Sequence, residues 1–129
     1  MRVVVVTSGS GQRGTVLVIE DEPVMRLMAL DLVEDAGFEA LEARGADDAV
    51  RILEARPDIR LVFSDIDLGA GEDGLRLAHV IRDRWPPVEI IMTSGKVNPE
   101  PDDLPARGVF FEKPYRCEEV SAAMRRLVA

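Results

Sequence analysis

The sequence predicts an α/β fold built on a parallel β-sheet with helices on both faces. Three observations predict it. From Thr15 onward, short runs rich in Val, Ile and Phe alternate with longer segments of helical period. The strand-like runs are apolar throughout rather than alternating, as strands covered on both faces are. Each run also stops abruptly at polar residues, and in an open parallel sheet ligands bind just outside the carboxyl ends of the strands.

The first strand is expected at residues 16–19 and ends in Glu20, Asp21 and Glu22. Glu22 precedes Pro23, a favourable first helical residue, so it is placed to cap the helix that follows. In that helix Val24, Leu27, Met28, Leu32 and Val33 form one apolar stripe expected to face the core, and Gly37 is placed to end it. A second strand is expected at 38–42. A helix at 47–55 turns Ala49, Val50, Ile52 and Leu53 inward, with Pro57 beyond its end. The third strand, 59–64, delivers Asp65, and a helix over 73–84 is expected to bury Leu75, Leu77, Ala78, Val80 and Ile81. The fourth strand, 88–92, delivers Thr93 and Ser94. The next crossover breaks the pattern: Pro99, Pro101 and Pro105 interrupt any helix between Lys96 and Gly108, so this segment is expected to be irregular. The fifth strand, 108–111, delivers Lys113, and a last helix over 118–127 presents Val120, Ala123, Met124 and Leu127.

Residues 1–14 stand apart as an expected flexible arm. Gly9, Gly11 and Gly14 spell G-x-G-x-x-G after four valines, but a strand-like run follows them where a dinucleotide fingerprint needs a helix. The 129 residues suit one domain, over 15–129. A net charge of −8 works against nucleic-acid binding, because no basic excess is available to release phosphate counterions. No apolar run approaches the ~20 residues of a membrane span. Cys117 is the single cysteine, which rules out an intrachain disulfide and points to a reducing cytoplasm.

The strand ends carry the chemistry. Adjacent carboxylates repel by about 4 kcal/mol per pair at close range and an effective dielectric of 20. A divalent cation such as Mg²⁺, which prefers hard oxygen ligands, offsets that repulsion. A strand-end Asp can also act as a nucleophile toward phosphorus, with a hydroxyl and an ammonium group stabilising the phosphoryl oxygens. Plainer roles remain in view: the acids could cap a helix, the Asp67 side chain is expected to be a solvated turn acid, and Trp85 to pack a helix end. His79, the single histidine, and Cys117 are assigned no chemistry.

An acidic pair, then Asp65, Thr93 and Lys113-Pro114, each at a strand end and in this order, resembles the receiver domain of two-component response regulators over residues 15–129. The resemblance implies a flavodoxin-like, doubly wound five-stranded sheet of order 2-1-3-4-5. It also implies that Glu20, Asp21, Asp65 and the main-chain carbonyl of Asp67 hold Mg²⁺, and that Asp65 is the phosphoacceptor. Lys113 binds the phosphoryl group, Thr93 and Phe110 are switch residues, and the Lys113-Pro114 peptide is cis. The chain departs from the family pattern at Leu68-Gly69, where Pro is usual three residues after the acceptor, in a Gly-rich loop expected to be more mobile. Other departures are Phe110, which lacks a hydroxyl, and the proline-broken fourth crossover.

The implied function is a stand-alone receiver, a monomer or weak homodimer, catalysing only its own phosphorylation and dephosphorylation. It would take a phosphoryl group from a histidine kinase or histidine phosphotransfer protein and signal through protein contacts, because little chain follows the last helix. The alternatives are a phosphatase of the haloacid dehalogenase type, for which Asp65-Ile66-Asp67 would supply D-x-D, and a phosphorylation-independent binding module.

Overall fold

Strand β1 (Thr15–Ile19) lies inside a five-stranded parallel sheet between β2 (Glu39–Ala43) and β3 (Ile59–Asp65), with β4 (Glu89–Ser94) and β5 (Val109–Glu112) beyond β3. The order is β2-β1-β3-β4-β5, as the resemblance implied. The structure is a computed structural model and describes residues 13–69 and 73–129. Of the expected arm, only Arg13 and Gly14 fall within that range: the Arg13 N–H donates to the Gly37 carbonyl and Gly14 accepts from the Glu39 N–H. The glycine fingerprint and the centre of the 68–74 loop lie outside the described residues.

Alternation along each strand splits the core in two. Leu17, Ile19, Val62, Ile90 and Met92 face helices α2 (Ala46–Ala55) and α3 (Gly74–Arg84). Val16, Val18, Leu61, Phe63 and Ile91 face α1 (Pro23–Asp35) and α4 (Cys117–Val128) on the other side. Both faces of β1 and β3 are therefore buried, which is why these strands read as unbroken apolar runs. Each fully buried Val, Leu, Ile or Phe stabilises the fold by about 1.5–3 kcal/mol.

Helix α1 corrects one expectation. Glu22 caps it, accepting from the Val24 and Met25 N–H groups, and Pro23 opens it. Its buried face is Ala29, Leu32 and Val33, continued by Ala36. Val24, Leu27 and Met28, taken from the sequence as part of the inward stripe, are 63%, 60% and 59% exposed. The apolar arc of this helix is wider than the sheet can cover, and the small side chains of Ala29 and Ala36 mark the line of close approach. Val80 on α3 also turns outward. At the end of α1, Gly37 takes φ +99°, its N–H bonds Glu34 and that of Phe38 bonds Val33, the paired arrangement of a left-handed helix stop. Phe38 is thus a buried plug behind the helix rather than the first residue of the second strand.

The fourth crossover is irregular, as the prolines require. Between β4 and β5 the only helical turn among the described residues is a 3-10 turn, Pro101–Asp103. Two side chains one turn apart on α3 hold the segment in place. The His79 Nε2–H donates to the Asp103 carbonyl at 2.8 Å, and Arg82 donates through Nε to Ala106 at 2.8 Å and through Nη1 to the Pro86 and Val88 carbonyls. Trp85 packs at the end of α3 against the core, with Arg84 stacked 4.4 Å from its ring centroid. No helix among the described residues is long and apolar enough to cross a membrane.

Candidate phosphoryl-accepting site

Register brings the polar strand ends level. Ile19 pairs with Ser64, Asp65 with Thr93, and Ser94 with Glu112, so the residues just beyond β1 and β5, Glu20 and Lys113, flank Asp65 and Thr93. The Lys113 N–H donates to the Ser94 carbonyl and the Ile66 N–H to that of Thr93, which anchors both chain exits. The Lys113-Pro114 peptide is cis.

Side chains meet at this edge. Lys113 Nζ lies 3.0 Å from Asp65 Oδ2 and 3.8 Å from Glu20 Oε1. Asp65 Oδ1 accepts from the Asp67 N–H at 3.1 Å, and Glu20 Oε2 from the Glu22 N–H at 3.1 Å. Thr93 is buried and lines the small pocket beneath the carboxylates with Asp65, Lys113 and Tyr115. Above it, a cleft of about 370 Å³ opens between Glu20, Asp21, Asp65, Asp67, Lys96 and Lys113. Phe110 lies on the opposite side of β5 from Phe111 and packs against the core under α2 and α3 rather than in the cleft.

Burial, with the Asp65 carboxylate beside it, pushes Glu20 up to about 7, against the lowering effect of the Glu22 N–H and Lys113. Lys96 Nζ sits 3.0 Å from Asp67 Oδ2 and holds that carboxyl below the usual carboxylate range. Among the described residues no three carboxylates close into a ready-made metal cage. The donor set nonetheless fits a small hard cation. Five carboxylates, those of Glu20, Asp21, Glu22, Asp65 and Asp67, line one cleft, where Lys96 and Lys113 bring two positive charges.

Sequence reasoning missed several positioning groups. Arg26 on α1 donates through Nη1 to the carbonyls of Glu20, at 3.0 Å, and Asp21, at 3.4 Å, while its Nε pairs with Glu42 at 2.9 Å. It fixes the backbone that carries the acidic pair. Gly69 has φ +70°, and a Cβ there would overlap the Asp21 carboxylate; one at Gly74 would overlap the backbone of Asp65 and Ile66. The Tyr115 ring stands edge-on to Phe63 at 5.9 Å, and burial raises its phenol to about 12. The glycines were legible as loop residues, but Arg26 carries no signal beyond its helical position.

Comparison with known proteins follows the same lines. Residues 16–123 match the model of the response regulator receiver domain. The chain is 35% identical over 115 residues to the nitrogen assimilation regulatory protein NtrX of Azorhizobium caulinodans, a match covering 86% of this chain and 25% of NtrX. To the aerobic respiration control protein ArcA of Escherichia coli K12 it is 30% identical over 118 residues, covering 88% of this chain and 48% of ArcA. It thus spans between a quarter and a half of the length of these relatives. The solved receiver domain of NtrX from Brucella abortus aligns with a TM-score of 0.77 at 32% identity, over 88% of this chain and 97% of that one. A receiver domain protein from Clostridium thermocellum reaches 0.78 at 20% identity over 89% and 94%, a likeness of fold alone. A match that runs from the first strand into the last helix, on a sheet of the implied order, makes this chain a member of the response regulator receiver domains of two-component signalling.

Proposed function

We propose that the protein accepts a phosphoryl group on Asp65 in a Mg²⁺-dependent phosphorelay. The observation that carries this reading is the Lys113 ammonium 3.0 Å from the Asp65 carboxylate, at the carboxyl edge of the sheet and level with Thr93. An Asp65 oxygen attacks the phosphorus of a phosphohistidine. The phosphorus–nitrogen bond breaks, and the imidazole takes back its electron pair. Lys113 and the Thr93 hydroxyl then bind phosphoryl oxygens in the product. Glu20, Asp21, Asp65 and the Asp67 carbonyl would hold Mg²⁺, whose charge offsets carboxylate repulsion and polarises the incoming phosphoryl group. Thr93 and Phe110 serve as switch residues, Phe110 by a steric and apolar change.

A histidine kinase or histidine phosphotransfer protein is the partner, in the cytoplasm. Exposed Met28 and half-buried Met25 lead into an apolar groove with Pro114 and Tyr115 beside the site, a surface suited to a helical partner. The protein catalyses only its own phosphorylation and dephosphorylation, and protein contacts read its state; NtrX and ArcA extend well beyond the matched segment. A D-x-D phosphatase would need the Asp67 carboxyl as an acid, whereas here that group is engaged by Lys96 and the Gly69 N–H. Intact-mass analysis after incubation with acetyl phosphate tests the reading. One phosphoryl adduct that requires both Mg²⁺ and Asp65, and is lost in Asp65→Ala, is expected; steady phosphate release from a generic ester without an adduct would overturn it.

A further inference from the structure

The cleft above Asp65 contains a second ammonium, Lys96, which the phosphoacceptor reading leaves unused. The Lys113 side chain is 20% exposed and lies deep against Asp65, whereas that of Lys96 is 80% exposed and stands at the mouth of the same cleft. Its position is built by the chain. Ser94, the last residue of β4, accepts through Oγ from the N–H groups of Lys96, at 3.1 Å, and Val97, at 2.9 Å. That turn sends Lys96 back over the strand ends, where Nζ meets Asp67 Oδ2 at 3.0 Å, two residues from the acceptor. Lys96, Asp65 and Asp21 line the same cleft, so the ammonium stands over the acceptor's side of it.

An exposed ion pair of this kind is weak, and its flexible stem exchanges partners readily. Phosphorylation of Asp65 replaces one negative charge in the cleft by two and offers strong acceptor oxygens within reach of that stem. We propose that Lys96 is a second phosphoryl-binding cation, which leaves Asp67 for the phosphoryl group on Asp65 and shields that group from water. The proposal rests on Asp65 being the phosphoacceptor. Hydrolysis adds a water oxygen to phosphorus, breaks the bond from phosphorus to the Asp65 oxygen and returns the electron pair to the carboxylate. Hydrogenphosphate and a proton leave. Lys96 stands on the solvent side of the cleft, in the path of that water, so it lengthens the life of the phosphoaspartate.

The test follows the decay of the acetyl phosphate adduct by intact mass in wild type, Lys96→Ala and Lys96→Arg, after removal of the donor. Because Lys96 is a surface residue, the variants are expected to fold, which circular dichroism checks. Lys96→Ala is expected to lose its adduct about five-fold faster, the scale of one exposed charge-assisted contact, with Lys96→Arg restoring the lifetime to within about two-fold. Unchanged or slower decay in Lys96→Ala, or an Arg variant that behaves like Ala, would overturn the role of Lys96 while leaving Asp65 as acceptor. Failure of all three proteins to gain an adduct would overturn the phosphoacceptor reading, and the Lys96 proposal with it.

Discussion

Glu20 is a carboxylate buried beside another carboxylate, and its protonation decides how the site behaves before any cation arrives. Its carboxyl in the folded chain titrates at about 7, against an ordinary value of 4.5. Between those two values the folded chain holds a proton that the unfolded chain has lost, so the stability of the metal-free protein falls as pH rises through that window and levels off above it. The loss is on the order of a few kcal/mol. With Glu20 as a Mg²⁺ ligand, as proposed, the cation would need the ionised carboxylate, and its stabilising effect would run the other way and grow across the same window. Thermal melts with and without Mg²⁺ are expected to diverge from about pH 4.5 to pH 7, and Glu20→Gln is expected to remove most of the divergence. Parallel melts across the window would mean that Glu20 is not a metal ligand. Arg26 acts at the same scale, because its guanidinium bonds hold the Glu20 and Asp21 carbonyls whichever way the carboxylates are charged.

Among the elements, α1 has to satisfy both the sheet and the surface beside the site. Its sheet face is Ala29, Leu32 and Val33, and its outer face carries Val24, Leu27 and Met28. Two leucines on one helix should therefore respond very differently to truncation. Leu32→Ala is expected to cost about 2–4 kcal/mol in denaturant unfolding, since it leaves a cavity under the helix. Leu27→Ala is expected to stay within about 0.5 kcal/mol of wild type. Equal losses at both positions would show that the outer face is covered. The fourth crossover illustrates the converse case, a segment without regular structure that is held by the side chains of a neighbouring helix. Arg82, itself buried, satisfies the Ala106 carbonyl of that segment together with the Pro86 and Val88 carbonyls of the turn before β4.

Across the whole molecule, charge works against compaction. The chain carries 24 acidic and 16 basic residues, and five of the acids converge on one cleft. The ion pairs that could offset this, such as Arg84–Glu54 and Arg56–Asp58, lie at the surface, where solvent and salt screen them and each contributes little. Repulsion should therefore outweigh pairing, and screening should help. The melting temperature of the metal-free protein is expected to rise as sodium chloride is taken from low to physiological concentration, with a smaller rise when Mg²⁺ is present. A fall with salt in calorimetry would mean that the surface pairs dominate.

Strand positions, the stop at Gly37, the broken fourth crossover and the convergence of Glu20, Asp21, Asp65, Thr93 and Lys113 were all legible in the sequence. They depend on local rules: apolar runs in strands covered on both faces, the backbone limits of proline and glycine, and the placing of strand ends at one edge of a parallel sheet. What only the tertiary structure decided depends on distance between residues far apart in the chain. Which part of the apolar arc of α1 is buried depends on how much of that arc the sheet covers. The raised carboxyl of Glu20 follows from its burial, with Asp65 beside it, and the hold of Arg26 on the acidic backbone from a turn of helix laid across a strand end. Lys96 reads in the sequence as one more surface lysine, and it becomes part of the site because a serine-capped turn carries it back over Asp67.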